Sequence, residues 1–224
     1  MRALTPIETR VLATLMEKAR TVPDSYPLSL NALVLGCNQK TSRDPVMEVS
    51  DDDTRTALEA LKAMSLVFEG SSSRVPRYEH NFQRASGTSE QQSVLLGLLM
   101  LRGPQTPAEL RTAGERWYRF ADALAVDVVL QELADRGDDG GAAMVLKLPR
   151  APGAREQRWV HLLSGEVDVQ ALVSNAPSTA EAEGLLARVT ALENALVITR
   201  AENTLLKAHI RTISEQLGIT LPEA

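Results

Sequence analysis

The chain has 224 residues, of which 44% are apolar, and a formal net charge of −5 from 24 basic and 29 acidic residues. This length allows one or two hydrophobic cores, and no segment approaches the roughly 18 consecutive apolar residues of a membrane span. The start of the chain lacks a basic region followed by an apolar one, so we expect a cytoplasmic protein without an export signal. The single cysteine excludes an internal disulfide, and the three histidines lack metal-ligand spacing, so no metal or other cofactor is expected.

Three helices are predicted at the start of the chain. Apolar residues at helical spacing predict the first helix from Thr5 to Lys18. Tyr26 to Met47 then joins a short apolar helix to a long polar loop that enters another helix, an order typical of a helix-turn-helix. The third helix is predicted from Asp51 to Met64, with Ser50 as its N-cap and aspartates at the positive end of its dipole.

A two-stranded wing is predicted after the third helix. Leu66 to Glu69 and Val75 to His80 are β-prone runs on either side of a Gly/Ser cluster, which indicates a hairpin. Three helices followed by a hairpin are typical of a winged-helix domain, and we place the first such domain at residues 1–84. Asn81 to Thr88 is expected to be the linker that follows it.

The same order of elements recurs in the second part of the chain. The pattern of the first helix returns from Ser89 to Arg102, and that of the third helix returns from Phe120 to Arg136. Ala143 to Leu148 and Arg158 to Leu163 flank a loop rich in Pro, Gly and Arg and predict a second hairpin. This repeat predicts two tandem winged-helix domains, the second at residues 85–170.

A coiled-coil helix is predicted at residues 178–218. Apolar residues recur there at alternating intervals of three and four, which is the register of a two-stranded coiled coil. Asn203 at an a position favours a parallel homodimer, since two such side chains can hydrogen-bond across the seam. The alternative is a single amphipathic helix folded back onto its own chain, with Asn203 in solvent. The predicted seam consists of Leu185, Val189, Leu192, Leu196, Asn203, Leu206, Ile210, Ile213 and Leu217.

The fold class that these elements predict is mainly α with small β-hairpin wings (α+β). Similarity to the YceH family of uncharacterised bacterial proteins is carried by PLSLNALVLGCNQKTSRDPVM within Tyr26 to Met47, RYEH at Arg77 to His80, LRGPQTPAELR at Leu101 to Arg111 and HLLSGEV at His161 to Val167. The resemblance covers Leu4 to about Val167, so the tail lies outside it. It implies a cytoplasmic bacterial protein with two winged-helix domains, and it transfers no functional residue.

Positive charge in the first domain suggests contact with DNA. Basic residues in the turn before the third helix and on the wing could bind phosphates, which positions a protein on DNA without reading bases. Against this, Asp51 to Asp53 would repel phosphates at the helix end that usually reads bases, and residues 1–84 carry equal numbers of acidic and basic residues. The predicted nucleic-acid contacts are Lys40, Arg43, Arg55, Arg74, Arg77 and Arg84.

Two functions remain open from the sequence. The leading hypothesis is a non-enzymatic, DNA-associated regulator that contacts the backbone of double-stranded DNA through the first domain's turn and wing. The rival is a protein-interaction scaffold in which the acidic third helices of both domains meet basic partners and no nucleic acid is bound. A small-molecule sensor is a weaker third hypothesis, because no sensor domain is visible. A contiguous positive face would favour DNA, and dispersal of the basic residues would favour protein.

No catalytic residue is predicted. Cys37 lies on an apolar helix, where a cysteine is typically a buried small hydrophobe and not a nucleophile. His80 and His161 each fall in the second strand of a predicted wing, where we expect them to make local hydrogen bonds. No membrane partner is expected either, since no segment is long and apolar enough.

Overall fold

The computed structural model describes residues 2–70, 75–137, 141–151, 154–170, 192–204, 206–208 and 210. Runs of helices are followed by short antiparallel strand pairs, which confirms the α+β class. The elements, in chain order, are α1 (Pro6–Thr21), a 3-10 turn (Pro23–Ser25), β1 (Leu28–Ser29), α2 (Leu30–Cys37), α3 (Asp51–Ala63), β2 (Val67–Gly70), β3 (Arg77–His80), α4 (Phe82–Ser86), α5 (Glu90–Arg102), α6 (Pro107–Gly114), α7 (Ala123–Asp135), β4 (Val145–Lys147) and β5 (Trp159–His161).

Capping residues start most of these helices where the sequence predicts. Thr5, Ser50, Ser89 and Thr106 each accept a hydrogen bond from the backbone three residues later, and the side chain at that later position bonds back to the cap. This reciprocal pair satisfies backbone N–H groups that have no partner within the helix. Asp122 caps α7 by accepting from the Ala125 amide at 2.8 Å.

Each half has one small sheet, formed mainly by the strand pair that follows its third helix. In the first, the strand order is β1-β3-β2, with β3 antiparallel to both neighbours. In the second, β4 pairs with β5, and Gln105 forms an isolated bridge to Trp159 in the place that β1 takes in the first sheet. The two antiparallel strand pairs are confirmed, whereas the third strand of the first sheet was not predicted, because two residues carry too little pattern to recognise.

The two halves share one hydrophobic core, centred on α1 and α5. Leu12 on α1 and Leu96 on α5, which occupy matching positions in the sequence repeat, are both fully buried. A Cβ added at Gly97 would meet the Trp117 ring at 2.7 Å and Met16 Cε at 3.3 Å, so only glycine lets these side chains lie so close to α5. Both halves fall within one compact unit, Met1–Ala151 with Arg155–Ser174, and the boundary at residues 84 and 85 stays a prediction.

The tail falls in the second unit, Pro152–Ala154 with Asn175–Ala224. Its described residues are helical and exposed, including Leu192, Leu196, Leu206 and Ile210 at predicted seam positions. Asn203 donates from Nδ2 to the Thr199 carbonyl of its own helix at 3.1 Å. The other predicted seam residues, Leu185, Val189, Ile213 and Leu217, lie outside the described residues, as does much of the predicted helix at 178–218.

None of the helices within the described residues is long and apolar enough to cross a membrane.

Candidate nucleic-acid interface

The loop between α2 and α3, residues 38–50, is held in place by buried arginines. Arg10 on α1 is 2% exposed, and it donates to the Cys37 carbonyl at 3.1 Å and to the Pro45 carbonyl at 2.5 Å. Cys37 is the last residue of α2, so this bond satisfies a carbonyl at the negative end of the helix. Arg10 was not among the predicted site residues, although its place beside the apolar residues of the first helix is a signal that it is buried.

Arg43 is the second buried arginine, and its side chain is completely enclosed. It donates to the Gly36 carbonyl at 2.9 Å, to the Glu17 carboxylate at 2.5 Å and to Gln39 Oε1 at 3.0 Å. Burial by itself would raise the pKa of Glu17, but the hydrogen bonds and charges of Arg43 and Lys18 outweigh burial and lower that pKa. The structure therefore corrects the prediction for Arg43, because its charge is neutralised in the interior and cannot contact a phosphate.

The same loop is fastened to the second half of the protein. The Asp44 amide donates to the Leu101 carbonyl at 2.8 Å, and Arg102 donates to Ser42 Oγ at 2.7 Å. Asn38 spans the loop by bonding both the amide and the carbonyl of Val49, at 2.7 and 2.9 Å. The loop that the sequence predicts to be polar therefore also connects the two halves through hydrogen bonds.

The remaining predicted DNA contacts in the described part of the chain lie on the surface. Lys40, Arg55, Arg77 and Arg84 are exposed, and none of them forms an ion pair with another described residue. Arg77 donates to the Pro27 carbonyl at 2.8 Å, which orients the side chain without neutralising it. Arg74 lies outside the described residues.

Three of these surface cations start from different elements. Arg77 is paired in the sheet with Ser29, which caps the start of α2, whereas Lys40 lies beyond the end of that helix. An eight-residue helix is about 12 Å long, so the two side chains start from opposite ends of it. Arg84 follows the opposite end of β3 from Arg77 and lines a surface cleft with Phe68. Lys40, Arg77 and Arg84 thus start from separate places in the first half.

The exposed side of α3 is acidic. Asp51, Asp52 and Asp53 are exposed at its first turn, where Asp53 closes the capping box with Ser50, and Glu59 is exposed further along. Carboxylates at this end suit the helix dipole, and they also repel phosphate. The helix end that would read bases in a helix-turn-helix protein therefore carries the wrong charge for that task.

The exposed side of α7 is apolar and acidic. Leu124 is 70% exposed and Val128 is 52% exposed, and the two lie one helical turn apart in line with Asp135. Asp127 is held inward, where it accepts from Trp159 Nε1 at 2.9 Å and pairs with Lys147 at 3.2 Å. The acidic character of this helix was predicted from the sequence, but the exposure of Leu124 and Val128 was not, because a helix that is apolar on several sides gives no sign of which side is left uncovered.

Three buried titratable groups outside the predicted interface have shifted pKa values. Burial raises the pKa of the Cys37 thiol to about 11, and its Sγ lies 3.6 Å from Thr14 Oγ1. Burial lowers the pKa of His80 and of His161 to about 4, and the Nδ1 atom of each has no hydrogen-bond partner among the described residues. No group of three or more potential metal ligands occurs among those residues.

Comparison with known proteins gives consistent matches. Residues 4–154 match the family described as "Protein of unknown function, DUF480". A UPF0502 protein of Polaromonas sp. (strain JS666 / ATCC BAA-500) is 74% identical over 223 residues, which cover 100% of this chain and 94% of that protein. The UPF0502 protein of Verminephrobacter eiseniae is 55% identical over 217 residues, 97% of this chain and 88% of that protein. The names of these relatives state no activity or partner.

Replacing Glu17 with Gln should lower the free energy of unfolding at neutral pH by about 3 kcal/mol, because it leaves the enclosed guanidinium of Arg43 without its carboxylate. The folded-state pKa of Glu17 lies below its ordinary value of 4.5, so the wild-type advantage is complete above that pH and is lost as the pH falls through the folded-state pKa. Urea unfolding of both proteins from neutral to acidic pH measures this.

The matched control is Lys62→Gln, which breaks surface ion pairs to Glu59 at 3.0 Å and Glu69 at 2.6 Å. It should cost less than about 1 kcal/mol, because solvent screens exposed pairs. Equal losses from the two substitutions, or a Glu17→Gln effect that does not change with pH, would contradict the role given to Arg43.

Proposed function

The chain belongs to the DUF480 family, and we propose that it is a non-enzymatic protein-interaction scaffold built from two winged-helix domains, whose third helices, α3 and α7, face a basic partner. The repeated order of three helices and an antiparallel strand pair supports the winged-helix interpretation. The matched residues 4–154 include most of the motifs that resemble the YceH family, which supports treating the two as one family. A cytoplasmic location is part of the same proposal, in keeping with a single buried, unpaired cysteine.

The observation that carries the proposal is the exposed face of α7. Leu124 and Val128 place two large apolar side chains in solvent next to Glu132 and Asp135. No Lys or Arg occurs from Phe120 to Asp135, so this face offers apolar area within a negative rim. A segment that presents apolar residues flanked by Lys or Arg complements it in both respects.

Changing Leu124 and Val128 together to Ser should weaken capture of such a partner about tenfold or more, because the interface would then bury less apolar area, at about 25 cal/mol per Å². Tagged full-length protein is incubated with nuclease-treated lysate, and each captured protein is quantified by mass spectrometry. The matched control is Leu35→Ser, which removes a leucine on α2 that is 73% exposed, much as Leu124 is 70% exposed.

Proteins that bind wild type and Leu35→Ser, but not the α7 variant, should be retained after nuclease treatment and released by salt. The same captured set from all three proteins would refute an interaction through α7. Loss of the whole set on nuclease treatment would instead point to nucleic acid.

DNA-backbone contact by the first domain is the second candidate function. It is supported by Lys40, Arg55, Arg77 and Arg84, which are exposed and keep their full charge, since no described acidic residue pairs with them. The separate starting places of Lys40, Arg77 and Arg84 and the acidic α3 weaken it in comparison with protein binding. Phosphate contacts of this kind would position the protein on double-stranded DNA without specifying a sequence.

If these cations bind phosphates, the affinity for duplex DNA should fall with salt by about 0.9 log units per log unit of salt for each contact. Changing Arg77 and Arg84 to Ala should then reduce that slope by up to about two units, equally on all duplex sequences. Fluorescence anisotropy across a salt series measures it. Arg111 and Arg119, also exposed, provide a control pair with the same loss of charge. Absence of any binding at low salt would remove this candidate.

We further propose that the tail forms a parallel homodimeric coiled coil. The support is a helix whose apolar side chains are exposed, among them Leu192, Leu196 and Leu206. A lone helix in water gains little from such residues, whereas pairing buries them at about 25 cal/mol per Å².

Leu196→Glu should make the full-length protein monomeric at micromolar concentration, because it places a charge in the predicted seam. Val197→Glu is the matched control, since Val197 is 66% exposed and Leu196 is 51% exposed, and Val197 falls outside the seam. Sedimentation velocity separates the two outcomes. A monomeric wild type, or equal effects of the two substitutions, would disprove the predicted register.

A further inference from the structure

A cleft of about 390 Å³ lies where five segments of the first unit meet. The segments are the start of the chain, the end of α4, the end of α7, the residues that lead into β4 and the turn after β5. Several of the residues that line it are small. They are Ala3, Ala85, Ala142, Ala143 and Gly165. A volume of this size is within the range of natural small-molecule sites.

The wall of the cleft contains one guanidinium that keeps its charge. Arg136 donates from Nη2 to the Ser86 carbonyl at 3.1 Å and from Nη1 to Met144 Sδ at 3.4 Å. No carboxylate in the described part of the chain pairs with it. A guanidinium has five N–H donors, so Arg136 retains donors for a further acceptor in the cleft.

The second arginine of the cleft is already neutralised. Arg2 donates to both oxygens of Glu8, at 2.6 and 2.8 Å, which also lowers the pKa of that carboxyl group. Among the described residues, the cleft therefore offers one positive charge without a carboxylate partner, which suits a ligand with a single negative charge.

The floor of the cleft is apolar. Met144 and Leu163 are each 7% exposed, and Leu162 lines the space beside them. A ligand that fits must therefore combine an anionic group with an apolar body. Bidentate pairing with a planar carboxylate makes good use of the fork of donors that a guanidinium presents.

We propose that this cleft binds a small monocarboxylic acid with a compact apolar body, with the carboxylate on Arg136 and the body against Met144, Leu162 and Leu163. The site is independent of the protein and DNA surfaces proposed above, because none of its residues belongs to either. A purely structural role for Arg136, as a link between α7 and the end of α4, would require only the bond to Ser86 and would create no affinity for acids.

The probe is benzoate, titrated calorimetrically into the full-length protein, with benzamide as its uncharged isostere and inorganic phosphate as an anion without an apolar body. Wild type should bind benzoate at least about tenfold more tightly than either alternative, because only benzoate satisfies both the guanidinium and the apolar floor. Arg136→Gln should reduce benzoate affinity by at least about tenfold, since a charge-assisted pair is lost.

Two further variants separate binding from folding. Arg84→Gln removes the same charge from α4 outside the cleft and should leave benzoate affinity unchanged. Ala85→Phe fills the cleft while keeping Arg136. It should abolish benzoate binding and leave the melting temperature of the protein unchanged. Failure of the wild type to bind benzoate at millimolar concentration would overturn the proposal. So would equal losses from Arg136→Gln and Arg84→Gln, or unchanged binding by Ala85→Phe.

Discussion

The ion pair between Arg43 and Glu17 is the interaction on which the arrangement of the first half depends. A guanidinium enclosed in a protein interior is tolerated only when its donors are met and its charge is balanced. Arg43 meets this condition with carbonyls of the loop and of α2, and with a carboxylate from α1. It therefore ties the loop before α3 to the first helix. Because α3 begins where this loop ends, its position depends on a buried charge as well as on its apolar face, which buries Ala57, Leu58 and Leu61.

The packing of α1 on α5 connects the first half of the protein to the second half within the first unit. Leu12 and Leu96 are both buried in the core that the two halves share, and the loop before α3 bonds the last turn of α5 through Asp44 and Leu101. The two halves thus do not behave as separate modules joined by a tether. The outer sides of α3 and α7 remain exposed. That of α3 is acidic, and that of α7 combines apolar with acidic residues.

Local pattern was sufficient to predict most of the elements. Helical spacing of apolar residues and the Ser50 cap indicated helix starts, and β-prone runs indicated the two strand pairs. The functional surfaces were harder to predict from the sequence, for a physical reason. Whether Arg43 is a surface cation or a buried one depends on Glu17, which lies 26 residues earlier, and no local rule connects the two. The exposure of Leu124 likewise depends on what the rest of the fold leaves uncovered.

The partners of Arg43 also determine which substitutions evolution can make there. Its bonds to Gly36 and Ser42 are made to main-chain carbonyls, which every amino acid supplies. Only Glu17 and Gln39 contribute side chains. A substitution at position 42 therefore keeps the carbonyl that Arg43 bonds. A substitution at position 17 that removes the carboxylate leaves the buried guanidinium of Arg43 without a negative charge beside it. Lysine cannot substitute for arginine here, because it lacks the planar fork. We therefore expect substitutions at positions 17, 39 and 43 to occur together in related proteins.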